Sequence, residues 1–221
     1  MTDSQRATAG YVAPFVAYVG FMALEKLAFQ SQHLYPARCL AALAALLWFS
    51  RPYLSFRPVR PWSSIGIGIA VFAIWIAPDA LFGYRHSRLF ENSILGTTSS
   101  TITSGDQANI LFLIVRTLGS MLLVPVLEEL FWRGWLMRWL IQPDFTKVPL
   151  GTYAPLAFWA TAILFAGEHG SYWEVGLAAG IIYNWWIVRT RRLADCMLAH
   201  AVTNGLLAGY VMTTGAWRYW L

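Results

Sequence analysis

Apolar residues run in continuous blocks along this chain, and polar residues are confined to the gaps between them. "GYVAPFVAYVGFMALEKLAF" (10–29), "IGIGIAVFAIWIAPDALF" (65–82), "ANILFLIVRTLGSMLLVPVL" (108–127) and "LADCMLAHAVTNGLLAGYVM" (193–212) each approach the roughly 20 residues that cross a bilayer core. Shorter blocks, "CLAALAALLWFS" (39–50), "YAPLAFWATAILFAGE" (153–168) and "EVGLAAGIIYNWWIV" (174–188), become spans once their aromatic and arginine flanks are counted. The alternation of about 10-residue strands that a β-barrel needs is absent. The pattern predicts an all-α fold, a polytopic transmembrane helical bundle of about seven or eight spans with a polar intramembrane cavity. The count turns on whether 108–141 is one long helix or two.

Composition agrees: 57% of the 221 residues are hydrophobic and 12% charged, where soluble domains carry about 25% charged residues. No linker divides the chain, so residues 1–221 read as a single integral-membrane domain. The longest polar interval, 84–107, has the Ser, Thr and Gly content of a surface loop. The head "MTDSQRATAG" lacks a basic n-region and a small-residue cleavage site, so the first span is expected to be retained. Cys39 and Cys196 both sit in apolar spans, which excludes a disulfide framework and offers no metal-ligand spacing.

The net charge of +5 comes from arginines at helix ends rather than along one face, so the partner it implies is the lipid bilayer, not nucleic acid. Arg51, Arg57 and Arg60 mark one cytoplasmic loop, Arg138 with Lys147 a second, and Arg189, Arg191 and Arg192 a third. All three share a side only if 108–141 crosses once, which favours seven spans and places the 84–107 loop outside.

An ionisable side chain at the centre of a span costs about 2.5–3.5 kcal/mol on insertion scales, so each marks a functional hypothesis. "VLEELFWRGWL" (126–136) holds Glu129 and Arg133 four apart, able to pair on one helical face, with Glu128 rotated about 100° away and left comparatively free. "FAGEHG" places Phe165 one turn before His169, beside Glu168; "HAVTN" stacks His200 and Asn204 on one face in mid-span. Each has a bland alternative: an ion pair joining helices, an interfacial histidine, an interhelical hydrogen bond. Together, a carboxylate, two imidazoles and an amide are the parts for activating water and steadying an oxyanion, the chemistry of hydrolysis. Glu25 with Lys26, Asp79, Arg116 and Glu174 have no converging partners in sequence and read as ion pairs or interfacial residues.

"EELFWR", "FAGEH" and "HAVTN" fit E-E-x-x-x-R, F-x-x-x-H and H-x-x-x-N in order, within 108–212. The chain thereby resembles the CAAX-protease and bacteriocin-processing (Abi) family of intramembrane endopeptidases. "FWRGWLMRWLI", "GEHGSYWEVGLAAGIIYN" and "AHAVTNGLLAGYVMTTGAW" resemble its CAAX-prenyl-protease-related branch, which accompanies bacterial exosortase systems. The resemblance implies Glu128 as the base, His169 placing the water, and His200 with Asn204 stabilising the oxyanion. Glu129, Arg133 and Phe165 would support them. It also implies a membrane-associated protein or peptide substrate. Zinc is an open alternative, with Glu128, His169 and His200 as candidate ligands. Only two of the 16 basic residues are lysine, as in GC-rich bacterial genomes, so the expected location is a bacterial inner membrane. The competing class is a transporter or non-catalytic scaffold whose polar residues line a path; the half-repeats of transporters are not evident.

Overall fold

The computed structural model describes residues 2–28, 32, 34–92, 95–96, 99–100 and 102–220, so parts of the 84–107 loop and the Lys26 side chain lie outside the described residues. Eight helices follow one another: α1 Asp3–Ala28, α2 Tyr35–Ala45, α3 Pro61–Phe82, α4 Ser104–Ala108, α5 Ile110–Trp139, α6 Pro155–Gly167, α7 Trp173–Thr190 and α8 Leu193–Thr214. Three of them, α1, α3 and α5, are long and apolar enough to cross a membrane by themselves; α6 is apolar but shorter. α7 and α8 fall outside that test because they carry Glu174, Arg189, Asp195, His200 and Asn204. Of these, Asp195 and His200 are buried inside the bundle, as polar groups within membrane helices require.

Local chemistry sets the helix ends. Thr2 and Gln5 form a reciprocal capping box at the start of α1. Pro61 opens α3, where the Asp195 carboxylate accepts from Val59 N at 2.9 Å, Arg60 N at 2.8 Å and Ser64 Oγ at 3.0 Å. Asn109 caps α5 by accepting from Phe112 N. Gly83 ends α3 in the left-handed conformation that glycine adopts without strain.

α5 is one continuous helix, so 108–141 crosses once. Its two π-helical stretches, Gly119–Leu123 and Leu130–Leu136, flank the two glutamates. The three basic loops lie at one end of the bundle. Residues 59–60 touch Asp195; Arg138 donates to Val148 O, and Gly151 is seated on the Ile187 carbonyl and Arg191. α3 packs flush on α8, where a side chain at Gly68 would strike the Ala199 carbonyl and Val202, and Thr203 Oγ1 donates to Gly68 O at 2.9 Å. α1 braces α5 through a stacked Phe15–Phe131 pair with ring centres 4.1 Å apart and through Tyr11 laid over Gly134.

Candidate active site

Three helices bring the motif residues together: α5 carries Glu128, Glu129 and Arg133, the end of α6 carries Phe165 and His169, and α8 carries His200 and Asn204. Glu129 Oε1 accepts from Arg133 Nη1 at 3.1 Å and lies 3.0 Å from His200 Nδ1. The guanidinium is fixed on its other edges: Nε donates to Asn184 Oδ1 at 2.9 Å and Nη2 to Gly180 O at 3.4 Å, and it covers the Phe165 ring at 4.5 Å. Asn184 is itself held, donating to Phe158 O at 2.8 Å. Arg133 and Glu129 are wholly enclosed.

His200 stands between the two consecutive glutamates. Its Nε2 is 3.9 Å from Glu128 Oε2, too far for a direct hydrogen bond. Glu128 Oε2 has no hydrogen-bond partner in the protein although it is shielded. A water in contact with both atoms fits that separation, since hydrogen-bond reach is about 2.6–3.2 Å. Tyr183 stacks on the His200 ring at 5.1 Å and is anchored by Thr203 at 2.8 Å.

His169 reaches the cluster because α6 is short. Thirteen residues make a helix of about 20 Å, shorter than a bilayer core of about 30 Å. The His169 ring is held by Phe165 O at 2.7 Å from Nδ1, by the Phe165 ring at 4.7 Å, by Trp75 at 5.3 Å and by Gly176, whose missing side chain gives it room.

Asn204 lies one turn beyond His200, and its Nδ2 donates to Ser120 O at 2.8 Å. The reason is local. Val124 N pairs with Gly119 O in the π register, so the next donor in that register, at 125, would serve Ser120 O; residue 125 is proline and has no N–H. Asn204 supplies the missing bond and keeps one amide N–H for other use.

Sequence reasoning passed over four contributors: Asn184, Tyr183, Trp132 and Glu168. Glu168 is the exposed C-cap residue of α6. Its adjacency to His169 was the available signal. Among the described residues no three His, Cys, Asp or Glu side chains gather in an arrangement that could hold a metal ion. His169 Nδ1 is engaged by the Phe165 carbonyl and His200 Nδ1 by Glu129, which orients each ring and leaves its Nε2 as the nitrogen that could face a water or a metal ion. Two surface grooves lie apart from the cluster, one of about 370 Å³ along Arg88, Leu95 and Trp173 and one of about 410 Å³ along Phe158, Trp159 and Trp185.

A helical membrane bundle with carboxylates and imidazoles converging inside it defines a polytopic membrane protein equipped for acid–base chemistry. Residues 110–206 are similar to the family described as Type II CAAX prenyl endopeptidase Rce1-like, and all three motifs fall within them. No curated protein and no solved structure matches the chain.

Proposed function

We propose that this protein is an intramembrane endopeptidase that hydrolyses a peptide bond of a membrane-associated protein, with Glu128 as the base. The observation that carries this reading is His200 held between two carboxylates of unequal environment: Glu129 is tied to Arg133, whereas Glu128 Oε2 is shielded and without a partner. Glu128 takes a proton from water lodged between its Oε2 and His200 Nε2, and the oxygen attacks the scissile carbonyl. With His200 Nδ1–H donated to Glu129, Nε2 accepts from water when the ring is neutral and donates to the oxyanion once it carries a second proton. The remaining N–H of Asn204 supports the same oxyanion, and His169 borders the water from the end of α6. No step runs through a metal.

The exosortase-associated branch and a bacterial inner membrane belong to this proposal, supported by the quoted phrases and by the arginine-rich composition. So does the orientation that puts the three basic loops in the cytoplasm. The test is a comparison of C-termini across the membrane proteome of cells carrying the wild type or Glu128→Gln. New C-termini present only with the wild type are expected. Identical C-termini in both would leave the scaffold or transport class standing.

A further inference from the structure

We propose that Asn184 is a positioning residue: acting through Arg133 and Glu129, it fixes which ring nitrogen of His200 carries the proton. This rests on the peptidase reading above and adds a residue on α7, a helix that carries none of the three motifs. Asn184 Nδ2 donates to Phe158 O at 2.8 Å. A carbonyl only accepts, so the NH2 end of the amide is committed to α6 and its oxygen turns the other way. There it accepts from Arg133 Nε at 2.9 Å, while Gly180 O, one turn earlier on α7, accepts from Nη2 at 3.4 Å. A guanidinium is a rigid planar fork, so fastening Nε and Nη2 also aims Nη1, which donates to Glu129 Oε1 at 3.1 Å.

The same carboxylate oxygen lies 3.0 Å from His200 Nδ1. It can only accept, so Nδ1 is the protonated nitrogen, and Nε2, 3.9 Å from Glu128 Oε2, turns its lone pair to the attacking water. Asn184, Arg133 and Glu129 are each at most 1% exposed, so bulk water does not replace a lost partner in this relay. A neutral amide suits the position. Among the described residues, Glu129 is the carboxylate paired with Arg133, and its oxygen takes the Arg133 charge undivided. Asn184→Asp would set a second anion on the guanidinium and turn an acceptor toward the Phe158 carbonyl. A residue that only joined α6 to α7 would need its bond to Phe158 O and no acceptor on the Arg133 side.

The test is nitrogen NMR on the full chain, labelled in its imidazole rings and held at a pH where the ring is neutral. The chain has four histidines, and the His200 signals are those lost in His200→Gln. The wild type should show a protonated Nδ1 and a bare Nε2 at His200. In Asn184→Ala both nitrogens should become partly protonated. Asn184→Asp, which keeps the size of the side chain, should do the same and decides the matter if the alanine variant does not fold. On the peptide spanning a cleavage site found by the C-terminal comparison, kcat of both variants should fall about 10–100-fold with KM little changed. A residue that merely joins helices would lower the melting temperature and leave the ring pattern and the kcat of folded molecules as in the wild type. That result, or a wild-type His200 protonated on Nε2, overturns the proposal. The ring signals need no substrate, so normal cleavage by Glu128→Gln would refute the reading of Glu128 and leave the assignment of the His200 proton standing.

Discussion

Two clusters of charge occupy this bundle, and they are built differently. At the end facing the 84–107 loop, Asp79 and Glu174 meet Arg85 and Arg218, two acids against two bases. Arg85, 1% exposed, also donates to Ser171 O at 3.3 Å and lies over the Tyr172 ring at 4.2 Å, while Tyr219 donates to Asp79 at 2.6 Å. Burial and then the Glu174 carboxylate, to which its hydroxyl donates, push the Tyr84 phenol up to about 12, so it remains a donor across the working pH range. Deeper in the bundle, Glu128 and Glu129 stand with a single arginine, Arg133, and the His200 imidazole. The balanced cluster fastens the loop and the C-terminal tail over the α6–α7 turn. The unbalanced one retains acceptors that nothing in the fold uses. Surplus charge that the fold does not need is the better sign of chemistry.

The sharpest way to break this contrast is to neutralise charges in each cluster in turn. Glu128→Gln should lower cleavage by about 10²–10⁴-fold while leaving the melting temperature unchanged, because no bond in the fold depends on it. Glu129→Gln should instead reduce folded yield, since it leaves Arg133 buried without its anion. Normal cleavage by purified Glu128→Gln enzyme would remove it from the mechanism.

Arg85→Met should show the converse. Breaking a buried pair costs about 3–5 kcal/mol, so thermal melting should fall clearly, yet the kcat of the molecules that remain folded should stay within a few-fold of the wild type. A kcat collapse with an unchanged melt would make the loop-side cluster part of the active machinery.

Gly176→Ala probes the seat of His169. Its Cβ would lie 3.1 Å from the ring, so the imidazole must shift by a few tenths of an ångström. A fall of about 10-fold in kcat with little change in stability is expected, given that misplacement by about 1 Å can cost 100-fold. Activity equal to the wild type would mean that the position of His169 is unimportant.

A chelator should leave activity intact if the water is held by protein groups alone. Stoichiometric zinc in the purified protein, lost together with activity, would overturn that expectation. The smallest effect concerns orientation and should not alter catalysis. In a background lacking Cys39 and Cys196, a cysteine at Ser99 should react with a membrane-impermeant thiol reagent on intact cells, and one at Arg189 should not. The opposite labelling pattern inverts the protein in the membrane.

The site was legible where its members are close in sequence. Glu129 and Arg133 sit one turn apart, so helical geometry alone pairs them, and the residue just before them, Glu128, is left over. Phe165 with His169, and His200 with Asn204, follow the same rule. The Arg85 network was not legible because Asp79 and Tyr219 are separated by 140 positions and Arg85 and Ser171 by 86.

The sequence by itself determined that the chain is a bundle of membrane helices, since a bilayer admits long apolar runs only as helices whose backbones are internally bonded. It also determined which residues are too costly to be lipid-facing. Only the tertiary structure decided what those residues face. It set His200 against Glu129, turned Asn204 to the carbonyl that Pro125 leaves without a donor, and tied Arg133 to Asn184. A helix fixes its own neighbours within a turn, whereas contacts between helices depend on lengths, π-turns and glycine seats distributed over the whole chain.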